Sequence, residues 1–157
     1  MPPTPRPKPQ PRNGGSSPSQ PSRFVRVYSD GAARGNPGPA GAGAVIVSDS
    51  GDVVAELGRY LGEQTNNVAE YEGLLLGLRH AIKFGASEIE VLADSQLLIR
   101  QLAGIYRVRN AGLLPLHAEA KRLLQQFKKT ELRHIPREQN GAADEMSNRA
   151  IDERMSD

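Results

Sequence analysis

The chain has 157 residues, a formal net charge of +2 and 38% hydrophobic residues, which is enough for one domain with a packed core. It contains no cysteine, which excludes disulfide-linked partners, thiol nucleophiles and cysteine-zinc sites. No apolar stretch approaches the roughly 18–20 residues needed to span a bilayer, and the N-terminus lacks the apolar segment of a secretory signal. We therefore expect a cytoplasmic protein with no membrane partner.

Residues 1–22 differ in composition from the rest of the chain. They contain eight of the twelve prolines and no carboxylate, so they cannot supply a hydrophobic core. We predict a disordered, proline-rich basic tail over 1–22 and a folded domain over 23–157. A solubilising role and a weak contact with nucleic acid both remain open for the tail.

The rest of the chain alternates between strand and helix patterns. Strands are predicted at about 24–29, 42–48 and 52–61, with a glycine-rich connection after the first, as an antiparallel meander. A helix at about 67–84, a strand at 87–93, a short helix from 95, a helix at 113–127, a strand at 131–135 and a helix from 141 to the C-terminus follow. This order predicts an α/β fold in which helices cover a mixed sheet.

Four carboxylates stand at the ends of these elements. Asp30 closes the first strand, Glu70 lies at the edge of the apolar face of the long helix, Asp94 follows an apolar strand, and Asp144 begins the last helix. Each position has an ordinary explanation as a turn residue, a helix-dipole partner or an N-cap. Asn140 is a plausible cap for the last helix.

All four carboxylates can share one edge of the sheet, where they would repel one another. A divalent cation relieves such repulsion, and a site made only of oxygen ligands selects a hard ion such as Mg²⁺ or Mn²⁺. A cluster of about four carboxylates suits two ions about 3.5–4 Å apart, which activate a water and stabilise the leaving oxygen of a phosphodiester. From the residues alone, a metal-dependent nuclease and the ordinary explanations of each carboxylate both remain open.

Four sequence blocks carry a more specific signal. In order, they read YSDGAARGNPGPAGAG, TNNVAEYEGLLLGL, VLADSQLLI and HIPREQNGAADEMSN. Over about 24–150 the chain resembles type 1 ribonuclease H, which implies a five-stranded mixed sheet with the first three strands antiparallel. The resemblance also implies endonucleolytic hydrolysis of the RNA strand of RNA–DNA hybrids with two Mg²⁺ ions, leaving 3′-hydroxyl and 5′-phosphate ends, by a monomer. The metal ligands that it implies are Asp30, Glu70, Asp94 and Asp144.

The resemblance also implies contacts with the hybrid substrate. Thr65 corresponds to a position near a phosphate of the DNA strand, and the glycines of 31–43 are expected to let the backbone approach nucleic acid closely. Amide side chains suit base edges and 2′-hydroxyls because they both donate and accept hydrogen bonds. The amides expected in the minor groove are Asn36, Asn66, Asn67 and Gln96.

His134 lies ten residues before Asp144, where relatives carry a mobile histidine that assists proton transfer or product release. Here the surrounding RHIPREQN segment resembles the end of a strand, and Pro136 stiffens the residues after it. A catalytic and a structural role both remain open for His134. Arg137 or Glu138 are alternatives for the loop position.

One departure from the resemblance concerns positive charge. Many members carry an extra helix and a basic protrusion where this chain has only GIYRVRNAG, so the chain resembles the compact subtype that lacks the protrusion. Hybrid binding would then depend on scattered basic residues and fall steeply with salt. The candidates are Arg100, Arg107, Arg109, Lys121, Arg122 and the N-terminal tail.

Three rival functions are weighed against the nuclease. A non-catalytic hybrid-binding module would have lost a carboxylate, and all four are present. Another phosphodiester nuclease of the ribonuclease H-like superfamily would lack the GNPG and TNN blocks. One nucleotide-binding domain of a sugar kinase begins with a similar meander. Such a kinase needs a second domain, and this chain is too short to contain it.

Overall fold

The computed structural model describes residues 23–156, and the predicted tail over 1–22 lies outside the described residues. The strands are β1 (Phe24–Ala33), β2 (Gly38–Ser48), β3 (Val53–Gln64), β4 (Glu88–Ala93) and β5 (Lys129–His134). The helices are α1 (Asn66–Phe84), α2 (Gln96–Leu102), α3 (Leu114–Leu124) and α4 (Gly141–Glu153). A short 3-10 turn at Arg137–Gln139 precedes α4.

The strands form one five-stranded sheet in the order β3-β2-β1-β4-β5. β1 pairs antiparallel with β2, and β2 pairs antiparallel with β3. β4 runs parallel to β1 on its other side, and β5 runs parallel to β4. The predicted α/β class and mixed sheet are confirmed. The parallel pairing brings the carboxyl ends of β1, β4 and β5 to one edge.

Helices cover both faces of this sheet. α1 crosses one face, with α2 and α3 beside it, and its buried side chains include Tyr71, Leu74 and Leu78. α4 packs on the opposite face through Ala143, Met146 and Ala150. The sheet therefore lies between α1 on one face and α4 on the other.

The glycine-rich stretch is mostly strand, which corrects the predicted boundaries. β1 continues to Ala33 and β2 begins at Gly38, so Asp30 lies inside a strand rather than at its end. A Cβ on Gly31 would collide with the backbone of α1, and one on Gly43 would collide with the backbone of α4. These glycines let helices approach the sheet closely. The expectation that the glycines of 31–43 let the backbone approach nucleic acid stays a prediction.

The last helix also ends before its predicted boundary. α4 stops at Glu153, and Arg154 takes a left-handed conformation with φ 50°. The chain then turns to the exposed edge of β3, where the amide of Tyr60 donates to the carbonyl of Met155 at 2.7 Å. This short pairing covers part of a sheet edge that would otherwise offer unpaired backbone groups.

Candidate active site

The predicted carboxylates meet at the carboxyl end of β4, which lies beside Asp30 in the second half of β1. Carboxylate oxygens of Asp30, Glu70 and Asp94 all lie within 4.8 Å of one another. The side chain of Asp144 lines the same cleft, whose volume is about 360 Å³. Four side chains from four separate elements therefore converge on one small volume.

Local capping leaves two of these carboxylates available to a ligand. Thr65 caps α1 by accepting a hydrogen bond from the amide of Val68 at 3.2 Å, so Glu70 projects from the first turns of the helix without serving as its cap. Ser95 caps α2 by accepting from the amide of Leu98 at 3.1 Å. The alternative in which Asp94 is the N-cap is therefore wrong, because Ser95 performs that role.

Asn140 is a site residue that the sequence did not reveal. It stands at the N-cap position of α4, yet its side chain makes no capping hydrogen bond, so its interpretation as a cap is wrong. Its Nδ2 instead donates to the carbonyl of Ser29 at 2.9 Å and to Oδ2 of Asp94 at 3.3 Å, and it is 1% exposed. This buried amide joins β1, β4 and α4 and orients the Asp94 carboxylate.

Burial and mutual repulsion make ionisation costly in the cluster. Loss of hydration, reinforced by the nearby charge of Asp94, raises the pKa of Asp30 to about 8. Burial also raises the pKa of Glu70 to about 7, although a hydrogen bond from Ser95 opposes the shift. Carboxylates crowded in this way have the donor set of a hard divalent cation, whose charge would offset the repulsion. The residues therefore fit a metal centre.

Of the four predicted substrate amides, Asn66 lines this cleft. Oδ1 of Asn66 accepts from the amide of Ala33 at 3.0 Å, and Oδ1 of Asn36 accepts from the amide of Asn66 at 3.1 Å. These bonds tie the turn between β1 and β2 to the start of α1. Asn67 and Gln96 are exposed in the first turns of α1 and α2.

His134 and Arg137 occupy different positions relative to the cleft. His134 is exposed at the last position of β5, where it is in register with Ala93. Arg137 lies in the 3-10 turn and lines the cleft with Asp30 and Asp94. The alternative that places Arg137 at the loop position therefore has geometric support, and the role of His134 stays a prediction.

Comparison with known proteins identifies the family. A family model described as "Reverse transcriptase-like" matches residues 28–150. The Ribonuclease HI of Halobacterium salinarum is 44% identical over 136 residues, covering 85% of this chain and 68% of that protein. The chain belongs to the ribonuclease HI family. The crystal structure of that halophilic enzyme superposes with a TM-score of 0.81 at 43% identity, covering 83% of this chain and 98% of that one.

Two further ribonuclease H relatives are informative. The structure of LC11-RNase H1 in complex with an RNA/DNA hybrid superposes with a TM-score of 0.78 at 42% identity, covering 84% of this chain and 99% of that chain. The bifunctional protein Rv2228c of Mycobacterium tuberculosis is 45% identical over 129 residues, or 82% of this chain. The chain spans only 35% of the length of that mycobacterial protein. Within residues 23–156, no helix combines the length and the apolar character needed to cross a bilayer.

The connection between α2 and α3 is short, as the sequence predicts. It runs from Ala103 to Leu113 and contains no helix among the described residues. Buried Val108 anchors it between exposed Arg107 and Arg109. Three other predicted hybrid-binding residues have partners within the fold. Arg100 donates to the hydroxyl of Tyr106, Lys121 donates to the carbonyl of Leu102, and Arg122 pairs with Glu119.

Proposed function

We propose that this chain hydrolyses the RNA strand of RNA–DNA hybrids endonucleolytically, leaving 3′-hydroxyl and 5′-phosphate ends. The observation that carries the proposal is the convergence of Asp30, Glu70, Asp94 and Asp144 in one cleft. Membership of the ribonuclease HI family and the similarity to LC11-RNase H1, solved with an RNA/DNA hybrid, support this substrate. The proposed catalytic unit is 23–157, acting as a monomer in the cytoplasm.

The four carboxylates would hold two Mg²⁺ ions, with Mn²⁺ as a possible substitute. When bound, such ions supply an activated water and charge stabilisation for the leaving oxygen of a phosphodiester. The contribution of the protein is to keep the ligands in place before the metal arrives. Asn140 fixes one oxygen of Asp94 by donating to it from Nδ2.

The hydrogen bonds within the fold decide what the amides can offer to the substrate. Asn36 and Asn66 each use Oδ1 to accept a backbone amide, which leaves their NH₂ groups to donate. Donors of this kind suit the acceptor edges of bases in the minor groove and the 2′-hydroxyls that distinguish RNA from DNA. Asn67 and Gln96 extend the same surface.

In this proposal Thr65 binds the DNA strand of the hybrid. Its Oγ1 accepts the amide of Val68, so its hydroxyl hydrogen is left to donate to an acceptor outside the helix. A phosphate oxygen of the DNA strand has the required acceptor chemistry. In this proposal Thr65 positions the hybrid and the amides read the minor groove.

The proposal is tested with four end-labelled substrates: RNA–DNA, RNA–RNA, DNA–DNA and single-stranded RNA, each with and without Mg²⁺. We expect cleavage of the RNA strand of the hybrid, only with Mg²⁺, and fragments with 3′-hydroxyl ends. Glu70→Gln is expected to bind the hybrid without cutting it. Equal cleavage of all four substrates would contradict the proposal. Hybrid binding without cleavage by the wild-type chain would indicate a non-catalytic binding module instead.

A further inference from the structure

A line of polar side chains extends from the active site along α4. Asp144, Asn148 and Asp152 are spaced by four residues, so they lie on one face of this helix. Arg34, in the turn between β1 and β2, reaches across to that face. Arg34 and Asn148 both line the cleft that contains Asp144.

Arg34 holds two of these residues at once. Its Nη1 donates to Oδ1 of Asp152 at 2.6 Å, and its Nη2 donates to Oδ1 of Asn148 at 3.2 Å. The remaining end of the Asn148 amide faces the active site. Its Nδ2 donates to the carbonyl of Asp144 at 3.0 Å and to Oδ1 of Asp144 at 3.3 Å.

The chemistry of these groups fixes the direction of every bond. A guanidinium can only donate, and an ionised carboxylate can only accept. The Asn148 amide between them must therefore turn its oxygen to Arg34 and its NH₂ group to Asp144. The carbonyl of Asp144 also can only accept, so Asp144 holds the NH₂ end of the amide and Arg34 holds its oxygen.

We propose that Asn148 is a positioning residue for Asp144, and that Arg34 acts through it by holding the oxygen of its amide in place. This inference rests on the proposed function of the same site. It also connects two parts of the site, because the turn that carries Arg34 is tied to α1 through Asn36 and Asn66. The turn thus bridges the start of α1, with its predicted substrate amides, and the helix that carries Asp144.

The positions of these residues allow the effect to be separated from stability. The Arg34 and Asp152 side chains are 47% and 60% exposed, and ion pairs on an exposed surface contribute little to folding stability. Groups that orient metal ligands from outside the coordination sphere typically change metal affinity or activity by about 10–100-fold. We call the hydrogen bonds from Arg34 to Asn148 and from Asn148 to Asp144 the relay. Loss of the relay should weaken metal binding far more than it changes the Tm without metal.

The test is a double-mutant cycle with Arg34→Ala, Asn148→Ala and the double variant. The first readout is the Mg²⁺-dependent rise in Tm without substrate, and the second is the Mg²⁺ concentration that gives half-maximal hybrid cleavage. We expect each single variant to need about tenfold more Mg²⁺. The double variant should resemble Asn148→Ala alone, because Arg34 acts only through Asn148.

Arg149→Ala is the matched control, since Arg149 is an exposed arginine of α4 that pairs with Glu153. It should leave the Mg²⁺ requirement unchanged. Unchanged Mg²⁺ binding in Asn148→Ala, or additive effects in the double variant, would overturn the relay. A changed KM for the hybrid with unaltered Mg²⁺ binding would also overturn it, because Asn148 would then contact the substrate itself. If the wild-type chain did not cleave hybrids, the proposed function would fail, while the Tm titration would still test the relay.

Discussion

Replacing Asp30 with asparagine should stabilise the metal-free protein while abolishing its activity. Burial and the charge of Asp94 raise the pKa of Asp30 from 3.8 to about 8. The folded chain therefore binds this proton more tightly than the unfolded chain, and ionisation opposes folding. Asp30→Asn removes the ionisable group and keeps the shape of the side chain.

The sign of the effect depends on pH. Wild-type stability should fall as pH rises from about 4, where Asp30 loses its proton in the unfolded chain. The fall should level off near pH 8, where Asp30 loses its proton in the folded chain. One pKa unit corresponds to about 1.4 kcal/mol, so the shift amounts to about 5 kcal/mol at pH 8. For a chain of this size that is on the order of 10 °C in Tm.

The assay is thermal unfolding of both chains between pH 4 and pH 8 in the presence of a chelator. The Tm difference should be small at pH 4 and largest at pH 8, and Mg²⁺ should reduce it by stabilising the wild-type chain. Asp49→Asn, in the exposed turn after β2, is the control and should leave the pH dependence unchanged. A Tm difference that does not vary with pH would refute the argument that burial and crowding raise this pKa. Hybrid cleavage by Asp30→Asn at the wild-type rate would refute its role as a ligand.

Four further predictions concern other parts of the chain. His134→Ala should slow turnover moderately in single-turnover and steady-state assays, and an unchanged rate would favour a structural role. Deleting residues 1–22 should leave the Tm nearly unchanged, whereas a large loss would mean that the tail docks on the domain. Gly43→Ala should lower the free energy of unfolding in urea by about 1–3 kcal/mol, because its Cβ would collide with α4; a neutral effect would show that α4 can shift. Asn140→Ala should lower the free energy of unfolding by about 1–3 kcal/mol and also weaken Mg²⁺ binding. If Asn140 were purely structural, only the free energy of unfolding would change.

The sequence predicted the order of the elements and the family because those signals are local and strong. The apolar period of the long helix and the alternation of strands and helices each come from short stretches of chain. The four carboxylates were found because each stands in a distinctive block. Their approach within one cleft could be argued only from the topology, since each belongs to a different element.

The errors have a common physical origin in tertiary packing. The glycine-rich stretch has the composition of a loop, yet it forms β1 and β2. Gly31 and Gly43 leave room for helices that pack closely against these strands. Asn140 has the sequence position of a cap, yet its amide is used by β1 and β4. The link between Arg34 and Asn148 spans 114 residues and has no local signature.

The central claim is that these carboxylates form one metal centre, and anomalous diffraction from crystals soaked in Mn²⁺ tests it most directly. We predict anomalous peaks between Asp30, Glu70 and Asp94, with Asp144 adjacent, and no such peaks in crystals of Asp30→Asn. Full Mn²⁺-dependent cleavage in solution together with anomalous density only at a different part of the surface would contradict the account.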